Sequence, residues 1–510
     1  MTTAVIDKLL AAADRYADHP FLLTRKESIT YAEAWAVIHK LAAAVESVAG
    51  DAPLVGVLAQ RDVSAYYGTL AVIAAGRGYV SMTAKNPAER LRKIVQRAEL
   101  KTVIVGDGME DVFLDVFHNF SWSVTGIAVT PQDTSRQTKG QATLVDMTAA
   151  PQDKPQRVRS VQGDDILYLL FTSGSTGEPK GVPVSNGNVS AYLDFVCHQY
   201  GYGLGDKVSQ TFDLSFDLSV HDMLCTWTTG AALVPFTDGD LLSPARLLRD
   251  MGVTCWFSVP SQAALMARMR LLKPGAFPDL RVSLFCGEAL PVRTAEDWSA
   301  AAPNGIVENL YGPTEATIAI TRYAWTKESA HAARRGLVPI GVAFDGQCAC
   351  PSAEGELMLS GSQVFKGYWN DPETTAQKLS DAGYHTGDLV ECDDNGVLHF
   401  VGRMDSQIKL RGHRIELSEV ESVLRNVAGT DMAVALAWPT ADGEVLGITA
   451  VVAGAGSTGD IQECMRQHVP PYMVPARIVF MDVLPRNTSG KIDRKDILNR
   501  LARAEREKAA

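Results

Sequence analysis

No two of the eight cysteines in this 510-residue chain form a C-x-x-C pair. Cys348 and Cys350 stand too close in sequence to staple anything useful, so a disulfide framework is excluded, and scattered thiols fit a reducing cytosol. Long apolar runs are missing too: stretches such as residues 70–75 fall far short of the roughly 18–20 residues a spanning helix needs. Near the start, Asp7 and Lys8 sit where a secretory apolar region would have to run, which predicts a cytoplasmic protein with no membrane association. Positive charge is in deficit. With 48 Lys+Arg against 59 Asp+Glu the formal net charge is −11, which argues against nucleic acid as a partner. Internal repeats and low-complexity segments are absent as well. What is present is ordinary globular composition, 46% apolar and 21% charged, in a chain long enough for about two to four domains.

Along the first 160 residues, helical spacing alternates with short β-branched runs. Residues 29–48 (ITYAEAWAVIHKLAAAVESV) repeat apolar side chains at helical period, and 53–59 (PLVGVLA) and 100–107 (LKTVIVGD) read as strands. Such alternation predicts an α/β fold with a mainly parallel sheet. Residues 129–160 are polar and read as a loop or short insertion. From 164 to 400 the alternation continues through ILYLLFTSG, AALVPF, VTCWFSVP, RVSLFCGE and GIVENLYG, each a buried strand reaching a loop, which is where α/β folds collect their chemistry. The charge-dense stretch near 403–414, within GRMDSQIKLRGHR (402–414), marks a boundary. Beyond it lies a smaller α+β region, and residues 405–510 carry 14 basic and 14 acidic side chains, so the whole charge deficit lies before them.

The strongest local signal is FTSGSTGEPKG, residues 171–181. A buried strand runs into a loop whose Gly174 and Gly177 free backbone N–H groups to turn toward an anion. Thr172, Ser173, Ser175 and Thr176 add hydroxyls, and Lys180 adds a point charge. The spacing G-x-x-G-x-x-K differs from the usual P-loop. A second glycine run, Gly454, Gly456 and Gly459, imitates a dinucleotide fingerprint. The short helix after it and the prolines 470, 471 and 475 argue instead for a loop with Ser457 or Thr458 near a helix cap. Further stations are NLYGPTEAT (309–317), which offers Glu315 to a hard cation such as Mg²⁺, and YHTGDL (384–389), which puts Asp388 at a strand end suited to ribose hydroxyls. NTSGKIDRKDIL (487–498) presents Lys491 on a Ser-Gly turn. Alone, each is a solvated turn.

As an ordered set these motifs, with FDLSFDLSVHD (212–222), FCGEALP (285–291) and GRMDSQIKLRGHRIELSEVE (402–421), resemble the adenylate-forming enzymes over nearly the whole chain. The nearest resemblance is to stand-alone amino-acid adenylation domains of the nonribosomal peptide synthetase type and to D-alanine–carrier protein ligases. The resemblance implies a large N-terminal domain of packed α/β subdomains, residues 1–403, and a small mobile α+β lid, residues 404–510, hinged at Asp405. It implies ATP and Mg²⁺ as cofactors, with Glu315 on the metal and residues 172–180 on the β- and γ-phosphates. Tyr311 would lie against adenine, Asp388 and Arg403 would take the ribose, and Glu288, Asn309, Gly312 and Thr314 complete the nucleotide site. Lys491 would bridge the substrate carboxylate and the α-phosphate.

Asp217, in the pattern Phe216-Asp217-Leu218-Ser219, would reach the substrate's ammonium group, helix capping being its bland alternative. Leu218, His221, Leu284, Cys286, Leu310, Ile318 and Ala319 would line a short pocket suited to an alanine- or glycine-like amino acid. His221 departs from the usual apolar residue there and leaves a polar or β-amino substrate open. The expected partner is a discrete carrier protein with a phosphopantetheine arm, supplied in trans. An acyl- or aryl-CoA ligase of the same superfamily is the alternative activity.

Overall fold

The computed structural model describes residues 4–130, 136–147, 160–174, 178–441, 444–454, 456–486 and 492–509. Its contacts divide the chain into two compact units: Met1–Ala84, Ile94–Phe171 and Gly181–Met404 in the first, and Lys85–Lys93, Thr172–Lys180 and Asp405–Ala510 in the second.

In the first unit, strands Leu54–Ala59, Gly78–Thr83, Thr102–Val105 and Val124–Ala128 run parallel in an eight-stranded sheet. Leu54–Ala59 and Thr102–Val105 are buried at every residue, as strands covered on both faces must be. Helix Tyr31–Ala49 starts where Thr30 and Glu33 form a reciprocal capping box. The stretch expected to be a loop is partly sheet. Arg136–Lys139 and Ala142–Asp146 pair antiparallel, and the latter extends the sheet parallel to Val124–Ala128. Burial of Ala142 and Leu144 anchors it, a two-residue alternation that the surrounding polar composition hides.

Of the strands expected from the 164–400 pattern, Ile166–Thr172 joins the eight-stranded sheet beside Gly78–Thr83. The rest lie in a nine-stranded sheet where Lys207–Gln210, Ala232–Pro235, Cys255–Ser258, Val282–Phe285 and Ile306–Tyr311 are parallel and Thr321–Trp325 closes back antiparallel. A third, antiparallel sheet holds Gln347–Pro351, Glu356–Gly361, Gly383–Cys392 and Leu398–Arg403, and its register sets Asp388 opposite Arg403. One continuous apolar cluster, from Val5 through Trp227 and Leu284 to Leu398, joins these layers.

The second unit contains the hairpin Gln407–Leu410/His413–Glu416 inside the charge-dense stretch, with Ile408, Leu410 and Ile415 buried. Arg411 and Gly412 both have positive φ, the signature of a two-residue primed turn. Strands Ala433–Ala437, Ile448–Ala453 and Arg477–Met481 form its main sheet, with helices Leu417–Ala428 and Thr458–Arg466. Ser457 caps the latter through Asp460 N–H, so the 454–459 glycines lead into a cap and not a cofactor turn. Among the described residues no helix is long and apolar enough to cross a membrane.

Candidate active site

The segment before helix Leu218–Thr229 is shaped by Asp213, whose Oδ1 accepts from the Ser215 N–H at 3.1 Å and hydroxyl at 2.8 Å. This turn delivers Asp217 to the helix N-cap position with helical backbone angles (φ −65°, ψ −22°) and no capping bond from its side chain. The capping role therefore fails, although the position is right. Asp217 is buried, and its Oδ2 has no hydrogen-bond partner. Burial pushes its carboxyl up to about 6. The Thr314 hydroxyl holds it down in part, neighbouring Glu315 pushes it further up, and the backbone N–H groups of Leu218 and Ile318 help the charged form. An ionisable oxygen buried without a donor is a standing demand for a cation. Further along the same helix, Asp222 is equally buried and accepts only a long bond from Thr211 N–H, at 3.4 Å. Burial raises its carboxyl as well, with the Thr211 N–H and the Arg61 charge holding it down in part, and its Oδ1 too has no hydrogen-bond partner.

His221 lies fully buried on the same helix, with both ring nitrogens taken: Tyr192 Oη is 2.7 Å from Nδ1 and Tyr202 Oη 2.9 Å from Nε2. Burial drops its pKa to about 3. The ring is neutral, so one nitrogen donates to a tyrosine and the other accepts from one.

Strand Ile306–Tyr311 carries Asn309, Leu310 and Tyr311 and then breaks at Gly312-Pro313 into the single 3₁₀ turn Thr314–Ala316. Gly312 is required by close approach: a Cβ there would meet Ala319 Cα at 2.5 Å. Thr317 and Ile318 both hold positive φ (57° and 72°), a strained choice for two β-branched residues. Gln363 overcomes the strain. Its Nε2 donates to Ala319 O at 2.8 Å, and its backbone carbonyl accepts from Thr317 Oγ1 at 2.5 Å. Cys286, at the end of strand Val282–Phe285, turns its thiol toward Ile318 O at 4.0 Å. Leu218, Leu284, Cys286, Leu310, Ile318 and Ala319 are all buried.

Tyr311, Asp388 and Arg403 meet directly. Tyr311 Oη donates to Asp388 Oδ2 at 2.5 Å and Arg403 Nη1 to Oδ1 at 2.6 Å, while Thr386 Oγ1 accepts from Asp388 N–H. Burial, and then the Asp388 charge, lift the Tyr311 phenol well above its usual range. Asn309 donates to Pro339 O at 2.8 Å and leaves a buried Oδ1 without a partner. Glu315 is buried, and Tyr368 Oη donates to its Oε1 at 2.8 Å. Glu288 accepts from Ser261 N–H at 2.9 Å at the start of helix Pro260–Arg268, so one of its oxygens serves a helix end. Among the described residues no group of three or more His, Cys, Asp or Glu side chains could hold a metal alone. A lone Glu315 still suits Mg²⁺, which keeps water and takes phosphate oxygens as its other ligands.

Thr172 ends strand Ile166–Thr172 and Lys180 opens strand Lys180–Ser185. Within the second unit, Ser173 Oγ donates to Arg414 O at 2.8 Å, and Gly174 N–H donates to Glu419 Oε2 at 3.3 Å. A Cβ on Gly174 would overlap Glu178 O at 2.0 Å. Ser175, Thr176, Gly177 and Lys491 lie outside the described residues. Asp405 is exposed between strands Leu398–Arg403 and Gln407–Leu410, and its Oδ1 accepts from Gln407 N–H. Sequence reasoning missed Gln363, Tyr192, Tyr202 and Tyr368. Each acts across a long sequence separation and leaves no local periodicity, and for Tyr368 the aromatic run VFKGYW is the sole hint.

Residues 9–369 match the family model for the AMP-binding enzyme, and residues 419–491 match that for the AMP-binding enzyme C-terminal domain. The chain is 30% identical, over 527 residues, to a D-alanine–D-alanyl carrier protein ligase of Bacillus velezensis, spanning 96% of this chain and 99% of that protein. It is 34% identical to an L-proline–[L-prolyl-carrier protein] ligase of Pseudomonas fluorescens over 66% of this chain and 68% of the relative. The solved Vibrio cholerae adenylation domain AlmE, in complex with glycyl-adenosine-5'-phosphate, superposes with a TM-score of 0.88 at 30% identity, covering 98% of this chain and 97% of that one. With the matched model running through the buried acid of the 218–229 helix and the glycine turn at 312, the chain belongs to the AMP-binding enzyme family.

Proposed function

We propose that the protein activates a small, alanine- or glycine-like amino acid with ATP as the aminoacyl-adenylate and passes it to the phosphopantetheine thiol of a carrier protein. The observation that carries the substrate class is Asp217: a buried carboxylate whose Oδ2 has no donor, which an α-ammonium group completes. A plain carboxylic acid forgoes this pairing and leaves the carboxyl either unpaired or protonated. The D-alanyl and L-prolyl carrier protein ligases among its relatives, and a neighbour crystallised with a glycyl-adenylate, support the same class.

In the first step a substrate carboxylate oxygen attacks the α-phosphorus of ATP and pyrophosphate leaves. In the second the carrier thiol attacks the acyl carbon and AMP leaves. Tyr311 would lie against adenine, and the unpartnered Asn309 Oδ1 could accept from its amino group. Asp388, with Arg403 fixing its orientation, takes the ribose hydroxyls. Residues 172–180 hold the β- and γ-phosphates, with Gly312, Thr314 and Glu288 shaping the remainder of the nucleotide site. Glu315 would hold Mg²⁺, which when bound neutralises phosphate charge. Lys491 bridges the two anions that must meet; at about 4 Å and an effective dielectric near 20, one such contact contributes on the order of 4 kcal/mol. Residues 404–510 act as a lid that turns about Asp405 between the two steps.

The pocket favours small side chains because Leu284, Leu310 and Cys286 are bulky and buried. His221 offers it no free polar atom, since both nitrogens serve tyrosines, which disfavours a serine-like or β-amino substrate. Amino-acid-dependent ATP–pyrophosphate exchange tests this. Glycine or either enantiomer of alanine supports exchange and propionate does not; exchange with propionate matching that with alanine refutes the assignment. Thioester formation on a carrier protein but not on free CoA separates it from a CoA ligase.

A further inference from the structure

Cys348 and Cys350 are i and i+2 on strand Gln347–Pro351, at one edge of the five-stranded sheet. Residues two apart on a strand share a face, and here both thiols are exposed, with their sulfurs 3.4 Å apart. At 3.2–3.4 Å of rise per residue the two Cα atoms stand roughly 6.4–6.8 Å apart. That is the upper end of the span, about 4.4–6.8 Å, across which a disulfide closes. A third thiol, Cys392, ends strand Gly383–Cys392 in the same sheet and is also exposed.

We propose that Cys348 and Cys350 form a reversible dithiol–disulfide pair that exchanges with low-molecular-weight disulfides. Spacing alone makes this pair useless as a staple, because a ring so short removes little chain entropy from the unfolded state. The same shortness, together with exposure, makes the bond easy to reduce, the property of a labile pair and not of a structural one. The proposal is independent of the assigned activity.

The exchange has two steps. The Cys348 thiolate attacks one sulfur of glutathione disulfide, forming a mixed disulfide and expelling one glutathione thiolate. Cys350 then gives up its proton and attacks the Cys348 sulfur, expelling the second glutathione. Two electrons pass from the cysteines to the oxidant, and the two cysteine protons end on the two glutathione thiols. Cys350 is assigned the second, resolving step because its thiol is held up by the hydrogen bond with Cys348, then by partial burial, and further by the nearness of Cys348 and Cys392. Cys464, exposed on helix Thr458–Arg466 and far from this sheet in sequence, serves as the control.

The test treats the full-length protein with glutathione disulfide, alkylates the remaining thiols and digests without reduction. The expected peptide holds Cys348 and Cys350 joined, two hydrogens lighter and free of both alkyl group and glutathione, while Cys464 carries glutathione. Cys348→Ser and Cys350→Ser each leave the remaining partner as a stable mixed disulfide, and Cys392→Ser leaves the pair's oxidation unchanged. Glutathione retained on both Cys348 and Cys350, or a bond from either to Cys392, overturns the proposal. Phenylarsine oxide, which bridges neighbouring thiols, gives an independent reading: it protects the pair from alkylation, and Cys350→Ser weakens that protection on the order of 100-fold, the gain an intramolecular second contact brings. Equal protection in wild type and Cys350→Ser also overturns it.

Discussion

Replacing Asp217 by asparagine removes the charge and keeps the shape, and its consequences can be worked from the burial of that side chain. The carboxyl ionises near 3.9 in an unfolded chain and at about 6 here, with burial as the main cause. Between those values the folded protein binds the extra proton, so stability falls as pH rises from about 4 to about 6. That interval corresponds to about 3 kcal/mol, all of it lost above pH 7 and nearly none below pH 4. The amide that replaces the carboxyl does not titrate. The stability difference between Asp217→Asn and wild type therefore shifts in favour of the variant by about 3 kcal/mol across that window. Denaturant unfolding at pH 4, 5 and 7.5 without substrate measures it, and using the difference removes every other titrating group. The same variant lacks the partner for the substrate's ammonium, and breaking a buried ion pair costs about 3–5 kcal/mol, so kcat/KM for amino-acid-dependent exchange drops by roughly 10²–10⁴. A stability difference that is flat with pH, or one that moves against the variant as pH rises, refutes the burial argument. A variant that still discriminates alanine from propionate refutes the pairing.

Four further outcomes follow. Lys491→Ala abolishes adenylate formation but leaves thioester transfer from a supplied aminoacyl-adenylate largely intact; normal pyrophosphate exchange removes Lys491 from the mechanism. Gly312→Ala forces a Cβ to within 2.5 Å of Ala319 Cα, so amino-acid KM rises with the displaced 316–319 loop; unchanged exchange kinetics show that the loop yields freely. Glu315→Gln raises the Mg²⁺ concentration needed for half-maximal exchange at fixed ATP, and an unchanged Mg²⁺ titration removes Glu315 from the metal. His221→Phe leaves two buried tyrosine hydroxyls short of a partner, at about 1–3 kcal/mol each. It also abolishes the acid sensitivity of a histidine held at about 3, so the variant loses less stability than wild type between pH 6.5 and 4; parallel pH profiles contradict this.

The strand pattern was legible because it is local, as was the clustering of several candidate site residues at strand ends. A buried run ending in small residues announces a strand end, and Asn309, Tyr311 and Glu315 sit within one such signal. What was not legible is what closes over distance. Gln363 stabilises a loop more than 40 residues before it, and Tyr192 approaches His221 from a separate helix. No spacing rule links such partners. The edge hairpin around Ala142 was hidden for another reason: two buried apolar side chains, Ala142 and Leu144, in a polar stretch fall below what a periodicity argument can resolve. For Asp217 the sequence pointed to the substrate's ammonium group with helix capping as the alternative, and the helical backbone angles and missing capping bond exclude that alternative.

Asp217 and His221 stand four residues apart at the start of one helix, buried alike, yet burial acts on them with opposite sign: it raises the acid and lowers the base, each toward its neutral form. The difference lies in what surrounds them. His221 is neutral and fully bonded, so an approaching group gains no hydrogen bond from it. Asp217 is left one donor short, so on the proposed reading ligands are ranked by whether they bring a cation to that single atom. A neutral acid of the same size fills the same volume but leaves the carboxylate either charged and unpaired or protonated, and at pH 7 protonation alone costs about one pH unit's worth of free energy, roughly 1.4 kcal/mol. An ammonium-bearing acid meets neither penalty. On the proposed reading, selectivity for amino acids arises from one unsatisfied carboxylate oxygen beside a histidine whose two nitrogens are both taken, and every added internal partner for Oδ2 would weaken it.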